Sequence, residues 1–176
     1  MRLRLDPGSR VRVDLRATGV LKALAHSPTL AARPESLDIV SDGERIESDI
    51  EARVLASSIE PPADIAPSDR DRMRDNLLGP QVLDARRFPA LVFRGRYQGS
   101  IASGTLAGRL DVRGAPRSLS MPIAVARRGE LLIATGAWEG TLTELGVAPF
   151  KALLGAIRLE DWIRIRLDVW FAGADS

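Results

Sequence analysis

Histidine, serine and closely spaced carboxylates are the residues of this sequence that could carry out acid–base or nucleophilic chemistry. A Ser-His-acid arrangement would have to use His26, because it is the one histidine in the chain. No serine lies within the G-x-S-x-G pattern of a nucleophile elbow, and the sequence contains neither a P-loop nor a dinucleotide-binding fingerprint. Glu139 and Glu144 could form a carboxylate pair, but surface carboxylates this close are common. The sequence therefore predicts a protein that is not an enzyme and has no cofactor.

The composition leaves few residues for metal binding. The absence of cysteine excludes disulfides, thiolate nucleophiles and thiolate metal sites. A single histidine also excludes a metal site built from several histidines of one chain. No metal site is predicted.

His26, followed by Ser27-Pro28, has two interpretations. It could line the mouth of a cavity and hydrogen-bond the head group of a ligand, so we count it among the candidate ligand-binding residues. It could instead be a structural histidine that ties a loop to the rest of the fold. The second role is the commoner one for a lone imidazole whose partner the sequence does not predict.

Several arginines alternate with apolar residues in the first and last predicted strands. The net charge is only +2, so the charge balance does not indicate nucleic-acid binding. Pairing of these two strands would gather the arginines on one outer surface. That surface could bind an anionic partner, such as membrane phosphates or a lipid pyrophosphate, or be a solvated face neutralised by Asp14 and Asp168. The arginines are Arg10, Arg12, Arg16, Arg164 and Arg166.

Trp162 and Trp170 share the outward parity with these arginines. They could anchor the protein to a membrane or to a second copy of itself. Exposed tryptophans without a partner are unfavourable, so we predict a homodimer interface.

The elements that must position these residues are strands. Apolar residues alternate with charged ones through most of the chain, most clearly from Ile163 to Phe171. One charged face indicates an antiparallel sheet with one side in water. Long strands separated by short turns indicate a meander, which buries its apolar face by closing into a barrel of about eight strands. The predicted fold is therefore all-β, a single antiparallel barrel domain over residues 1–176.

One or two short helices interrupt the strands. The first is predicted over Ser68–Leu78, with Ser68 as N-cap and Gly79-Pro80 as the stop. This helix could either cover a cavity or simply pack against the barrel. The second is predicted over Ala148–Leu154, with Pro149 in its first turn.

The inward-facing residues of the predicted barrel are mainly aliphatic. Gly104 and Gly108 share this parity and would leave room inside the wall. The barrel could be hollow, which would suit a long hydrocarbon tail, or it could be filled by side chains. The candidate wall residues are Leu91, Phe93, Leu106, Leu110, Ile123, Ile133 and Ile165.

Three segments of the sequence resemble the YceI-like family. MRDNLLGPQVLDARRFPALVF, residues 73–93, resembles the family's helix that leads through an LDA motif into a strand ending in Phe. Gly108–Gly114 resembles its G-x-L-x-V-x-G hairpin, and Leu145–Phe150 resembles its closing segment. The three occur in the family's order and span about residues 69–172.

The resemblance implies a lipocalin-like β-barrel that binds polyisoprenoid lipids, and it brings no catalytic residues. We therefore expect non-catalytic binding or carriage of an amphipathic lipid, which could be polyisoprenoid, quinone or fatty-acid-like. The alternative is a filled barrel that acts as a protein interaction or stress-associated module through its Arg/Trp outer surface.

The first residues, MRLRLDPGSRVRVDLRA, lack the uninterrupted apolar run of a secretory signal. No stretch is as long and apolar as a membrane span, so stable membrane insertion is not expected. If Met1 is the start, the sequence predicts a cytoplasmic protein. Members of the YceI-like family are often exported, so this is a departure from them.

Overall fold

Alternating apolar and charged residues place most of the chain in antiparallel strands. A computed structural model describes residues 2–18, 29–34, 38–40, 45–152 and 157–173. The strands are β1 Arg2–Leu5, β2 Arg10–Thr18, β3 Thr29–Ala32, β4 Asp38–Val40, β5 Arg45–Leu55, β6 Ala90–Ser100, β7 Ser103–Asp111, β8 Arg117–Arg128, β9 Leu131–Gly140, β10 Lys151–Ala152 and β11 Ile157–Gly173, and the α-helix is α1 Pro67–Leu78. His26 lies outside the described residues.

The main sheet follows the order β3-β2-β11-β9-β8-β7-β6-β5. Strands β1 and β10 pair with β11, and β4 pairs with β1. The first and last long strands pair as predicted, with β2 antiparallel to β11. The sheet curls until its two ends meet. Ala31 of β3 and Glu60, beyond β5, exchange backbone hydrogen bonds of 3.0 and 2.8 Å. The architecture confirms the prediction of an antiparallel, lipocalin-like all-β barrel fold.

Helix α1 ends at Leu78, and Gly79 follows it, as predicted. It begins one residue earlier than predicted, with Ala66 as N-cap and Pro67 in the first helical position, so Ser68 is not the cap. Proline favours this position because its fixed φ suits a helix start and its missing N–H would lack a partner there. In the described part of the chain, no helix is long and apolar enough to cross a membrane.

The second predicted helix, over Ala148–Leu154, is wrong for its described residues, 148–152. Lys151 and Ala152 form β10 and pair with the start of β11. The Leu159 N–H also donates to the Phe150 carbonyl at 2.9 Å. Pairing with β11 satisfies the backbone hydrogen bonds of this segment. Helix signals in the local sequence carry no information about pairing with a distant strand. A short 3₁₀ turn lies earlier, at Thr143–Leu145, and ends at Gly146 with φ +76°.

The Asp14 carboxylate links three strands at the outer surface of the barrel. It forms an ion pair of 2.7 Å with Arg166 of β11 and accepts a 2.8 Å hydrogen bond from the Thr29 hydroxyl of β3. Burial alone would raise the pKa of Asp14, but the hydrogen bonds from Arg166 and Thr29 and the Arg166 charge outweigh it and lower the pKa. The ionised carboxylate therefore stabilises the junction of β3, β2 and β11.

We expect Asp14→Asn to lower the free energy of unfolding by about 1–2 kcal/mol at neutral pH, a value reduced by the partial exposure of Arg166. The folded pKa is depressed, so this contribution exists above the unfolded value of about 3.9 and disappears as pH falls through the folded value. Urea unfolding at neutral pH and at about pH 3 tests both points. Asp49→Asn, which breaks a fully exposed ion pair with Arg96, serves as control and should change little. A loss of stability in Asp14→Asn that persists unchanged in acid would contradict the prediction.

Candidate ligand-binding cavity

The inner face of the curled sheet encloses a cavity of about 870 Å³. This volume lies in the range of about 300–1,000 Å³ that is typical of small-molecule sites. Inward residues of β2, β5, β6, β7, β8, β9 and β11 line it, almost all of them apolar. The cavity runs from the end covered by α1 to the opposite end at Phe171 and Leu132.

Six of the predicted wall residues line this cavity. They face inward, as the alternation of apolar residues in their strands indicates. They come from four strands, so the curl of the sheet brings together residues far apart in sequence. The six are Leu91, Phe93, Leu106, Leu110, Ile123 and Ile165.

Ile133 is not among the residues that line the cavity, which corrects the prediction. Its neighbours Leu132 and Ala134 line it instead. Ile133 lies opposite Trp170 of β11 and the exposed Ala126 of β8, and directly opposed residues of antiparallel strands share a face. The parity error has a simple origin: Leu131, Leu132 and Ile133 are consecutive apolar residues, so alternation does not show which of them point inward.

The two candidate carboxylates have other partners. Glu139 accepts a 3.1 Å hydrogen bond from the Trp162 indole, and Glu144 accepts one of 2.6 Å from the Thr141 amide. Neither side chain lines the cavity. Among the described residues, no three His, Asp or Glu side chains are grouped to hold a metal ion.

The barrel is hollow. Among the described residues, no large side chain is less than 2% exposed. Inward-facing Val13, Leu110, Val125 and Leu167 are only half-buried, because one side of each faces the cavity. Native cores are normally packed without such space, so this lining is apolar surface that the fold itself leaves uncovered.

Helix α1 covers the mouth of the cavity. Met73 and Leu77 pack against the core below, while Asp69, Arg72 and Asn76 are exposed and also line the opening. Arg72 forms an exposed ion pair of 4.0 Å with Asp69. The exposed Asp64 also lines the cavity. The described residues of the mouth are thus polar, with two aspartates and one arginine, whereas the interior is aliphatic.

The ring tips of two aromatic residues of β6 lie against glycines of the inner wall. An added Cβ would lie 2.6 Å from the Phe93 ring at Gly95 and 2.7 Å from it at Gly108. At Gly104, it would lie 2.6 Å from the ring of Tyr97. At each of these glycines a backbone oxygen of the paired strand would be nearer still, so the backbone as well as the ring leaves no room for a side chain.

Tyr97 is the most buried of the polar residues that line the cavity. Its hydroxyl donates a 2.7 Å hydrogen bond to the Ser100 carbonyl, and the residue is 6% exposed. Burial raises the pKa of the Tyr97 phenol, so it stays protonated and continues to donate at neutral pH.

On the outer surface, the arginines and aspartates of β2 and β11 form pairs. Besides the Asp14–Arg166 ion pair, Arg12 lies 3.8 Å from Asp168. These contacts correspond to the predicted face neutralised by Asp14 and Asp168.

Both predicted outward tryptophans have partners within the chain. The Arg16 guanidinium stacks on Trp162 at 3.6 Å from the ring centroid. The Trp170 indole donates to Asp168 at 2.7 Å. The homodimer remains a prediction.

Residues at the mouth were not identified from the sequence. Asp69, Arg72 and Asn76 belong to a helix whose polar residues carry no sequence signal of facing an opening. Leu167 and Met121 also line the cavity. Their strand parity could have identified them, because they alternate in step with Ile165 and Ile123.

Solved structures share this fold. No protein-family model and no curated protein sequence matches the chain. BcnA of Burkholderia cenocepacia superimposes with a TM-score of 0.65 at 15% identity, over 92% of this chain and 95% of its own. The YceI protein of Campylobacter jejuni superimposes with a TM-score of 0.60 at 11% identity, over 83% of this chain and 82% of its own. The chain therefore has the fold of the YceI proteins, which confirms at the level of the fold the resemblance seen in its sequence.

Proposed function

We propose that this protein binds one amphipathic lipid in its barrel and carries it without chemical change. The ligand has a long apolar tail and is isoprenoid-, quinone- or fatty-acid-like. The observation that supports this most directly is the aliphatic cavity of about 870 Å³ that the fold leaves unfilled.

The cavity suits a hydrocarbon tail on energetic grounds. Burial contributes about 0.8 kcal/mol per methylene, so ten methylenes contribute about 8 kcal/mol before the cost of ordering the chain. This gain needs no polar anchor inside the barrel. The polar mouth, with Arg72 and Asn76, keeps a head group in contact with water.

Binding without catalysis agrees with the side chains present. Tyr97, the most buried polar residue of the lining, already donates its hydroxyl hydrogen to the Ser100 carbonyl. Glu139 and Glu144 are engaged elsewhere. The YceI fold, which this chain shares with solved structures of low sequence identity, is compatible with a binding protein.

The filled-barrel alternative receives no support from the cavity. On its proposed working surface, Trp162 contacts Arg16 and Glu139, and Trp170 donates to Asp168. A role for that surface remains a separate prediction, which light scattering of wild-type protein and of a variant with both tryptophans replaced would test.

Native mass spectrometry of freshly purified protein, combined with mass analysis of its organic-solvent extract, tests the proposal. We expect an adduct with the mass of one lipid that is lost on extraction. The extracted protein should be less stable than the loaded one, by about 2.7 kcal/mol when free ligand is at a hundred times Kd. Folded protein that purifies without an adduct, and whose urea midpoint does not rise when isoprenoid or acyl lipids are added, would overturn the proposal.

A further inference from the structure

We propose that the protein docks on anionic lipid bilayers through four arginines at the end of the barrel that α1 covers. This surface, the arginine rim, consists of Arg86 and Arg87 between α1 and β6 and of Arg113 and Arg117 between β7 and the first residue of β8. The charge of the rim is a property of the fold. The choice of a bilayer as partner rests on the proposed function, because a lipid carrier collects its ligand from a membrane.

Strand pairing brings the two segments of the rim to the same end of the barrel. Leu110, near the end of β7, lies opposite Phe93, near the start of β6, and also opposite Arg117, the first residue of β8. Arg113 donates a 3.0 Å hydrogen bond to the carbonyl of Pro80, two residues beyond α1. The arginine rim therefore borders the C-terminal end of the helix that covers the mouth of the cavity.

The two connections pack on each other around the Phe88 ring. A Cβ added at Gly114 would lie 2.7 Å from this ring, and the Arg87 guanidinium lies 5.3 Å from its centroid. Gly114 turns the chain with φ +76°, and its N–H donates to the Asp111 carboxylate. Connections fixed in this way lose less conformational freedom on binding than flexible ones would.

The arginines of the rim have few carboxylate partners. In the part of the chain that the structure describes, the Arg86, Arg113 and Arg117 guanidinium groups form no ion pair within 4.0 Å. Arg87 lies 3.6 Å from Asp84, yet its own side chain is 75% exposed whereas that of Asp84 is buried. This arrangement differs from the arginines of β2 and β11, which have aspartate partners on the outer surface.

Carboxylates near the rim are less exposed than its arginines. Asp84 is buried and Asp111 is half-buried, while Glu144 of the adjacent 3₁₀ turn is exposed and accepts a hydrogen bond from the Thr141 amide. Helix α1 carries three aspartates and three arginines, so it adds no net charge. The side chains that the rim exposes to solvent are therefore mainly cationic.

The tip of the β7–β8 connection favours a bilayer over other anionic partners. Ala115 and Pro116 are exposed there, between Arg113 and Arg117. A short apolar tip flanked by arginines suits the bilayer interface, since guanidinium groups bind lipid phosphates while the tip lies among the head groups. Docking in this orientation turns the end of the barrel with the cavity mouth towards the membrane.

Flotation of the purified protein with lipid vesicles tests the proposal. We expect binding to phosphatidylcholine vesicles that contain about one third phosphatidylglycerol, and little binding to pure phosphatidylcholine. Salt at about 0.5 M should release the protein, because it screens exposed charges. The double variant Arg86→Gln with Arg117→Gln should partition about thirtyfold more weakly, or about 2 kcal/mol, at about 1 kcal/mol per arginine.

Arg127→Gln with Arg128→Gln is the matched control. Strand β8 runs from Arg117 to Arg128, so this pair lies at the opposite end of the same strand. Both side chains are exposed, and their replacement removes the same net charge. The control should bind the anionic vesicles as the wild-type protein does. Equal losses in the two double variants would overturn the proposal, since net charge and not the rim would then be the cause.

A fluorophore gives a second measurement that leaves every arginine in place. The chain has no cysteine, so Ala115→Cys and Ala126→Cys each provide a single site for a nitrobenzoxadiazole label. Both positions are exposed, the first at the tip of the rim and the second near the other end of β8. On anionic vesicles the emission at position 115 should increase and shift to the blue, and that at position 126 should not. The opposite pattern would overturn the proposed orientation.

The outcomes separate this inference from the proposed function. Wild-type protein that does not bind the anionic vesicles, or that binds single-stranded poly(U) RNA more tightly than it binds them, would overturn bilayer docking and leave the lipid adduct in the barrel unaffected. Protein that docks through the arginine rim but neither purifies with a lipid nor gains stability from one would overturn the proposed function alone.

Discussion

Leu167→Trp is expected to abolish lipid binding and leave the barrel folded. Leu167 projects from β11 into the cavity, and it packs against all three groups of buried apolar residues that surround the lumen. It is only half-buried, so a larger side chain has free space to enter. The indole would occupy the middle of the lumen, where a ligand tail must pass.

The expected effect is an increase in Kd of at least about a hundredfold for any long-chain ligand, or about 2.8 kcal/mol. Stability of the lipid-free protein should stay level or rise, because the indole fills empty apolar space instead of overpacking a filled core. Fluorophore displacement, the adduct in native mass spectrometry and the urea midpoint give the three readouts.

Ala124→Trp is the matched control for Leu167→Trp. Ala124 is exposed on the outer face of β8, so the same indole is added outside the barrel. This variant should retain the adduct. If Leu167→Trp retains the same lipid in the same amount, the ligand does not lie in the barrel and the proposed site is wrong.

Phe171→Ala is expected to destabilise the protein far more than Phe93→Ala. Phe171 is 4% exposed and packs between Leu5 of β1 and Leu132 of β9, its partners across the strands. Its removal should cost about 3–5 kcal/mol, as for a buried phenylalanine that leaves a cavity. It also removes a main contact that holds β1 on β11.

Phe93 is the instructive comparison. The sequence makes Phe93 a candidate wall residue, and in a filled barrel its truncation would cost the same about 3–5 kcal/mol. In the structure one face of its ring already borders the lumen, so truncation removes only part of a buried surface and enlarges a space that already exists. We therefore expect about 1–2 kcal/mol for Phe93→Ala.

Urea unfolding of lipid-free wild-type, Phe171→Ala and Phe93→Ala proteins measures this difference. The slope of the transition should be similar in all three, so that midpoints report stability. Equal losses for the two variants would mean that the lumen closes around Phe93 in solution. That result would count against a hollow barrel.

The strands could be predicted because a sheet with one wet face imposes alternation directly on the sequence. The Ile163–Phe171 segment of β11 shows this best, and its inward parity agrees with the structure. The end of helix α1 at Leu78 could be predicted because Gly79-Pro80 stops a helix through its own backbone geometry, without a distant partner. Both signals depend on a few neighbouring residues, which a sequence displays.

Other features depend on partners far along the chain. The inward parity of β9 is ambiguous within Leu131–Ile133 and is decided by pairing with Trp170 and Ala126. The segment from Ala148 carries helix signals, but β11 supplies strand pairing to it. Local propensity is weak compared with such tertiary hydrogen bonds, so these two predictions failed for a common reason.

The sequence by itself determined an antiparallel barrel with an aliphatic inner face, because alternation and short turns permit little else. Only the tertiary structure decided that this barrel is hollow. Apolar inward residues are required in a filled and in an empty barrel alike, so their pattern does not distinguish the two. The lumen arises from the curl of the whole sheet, which arranges strands far apart in sequence around one space.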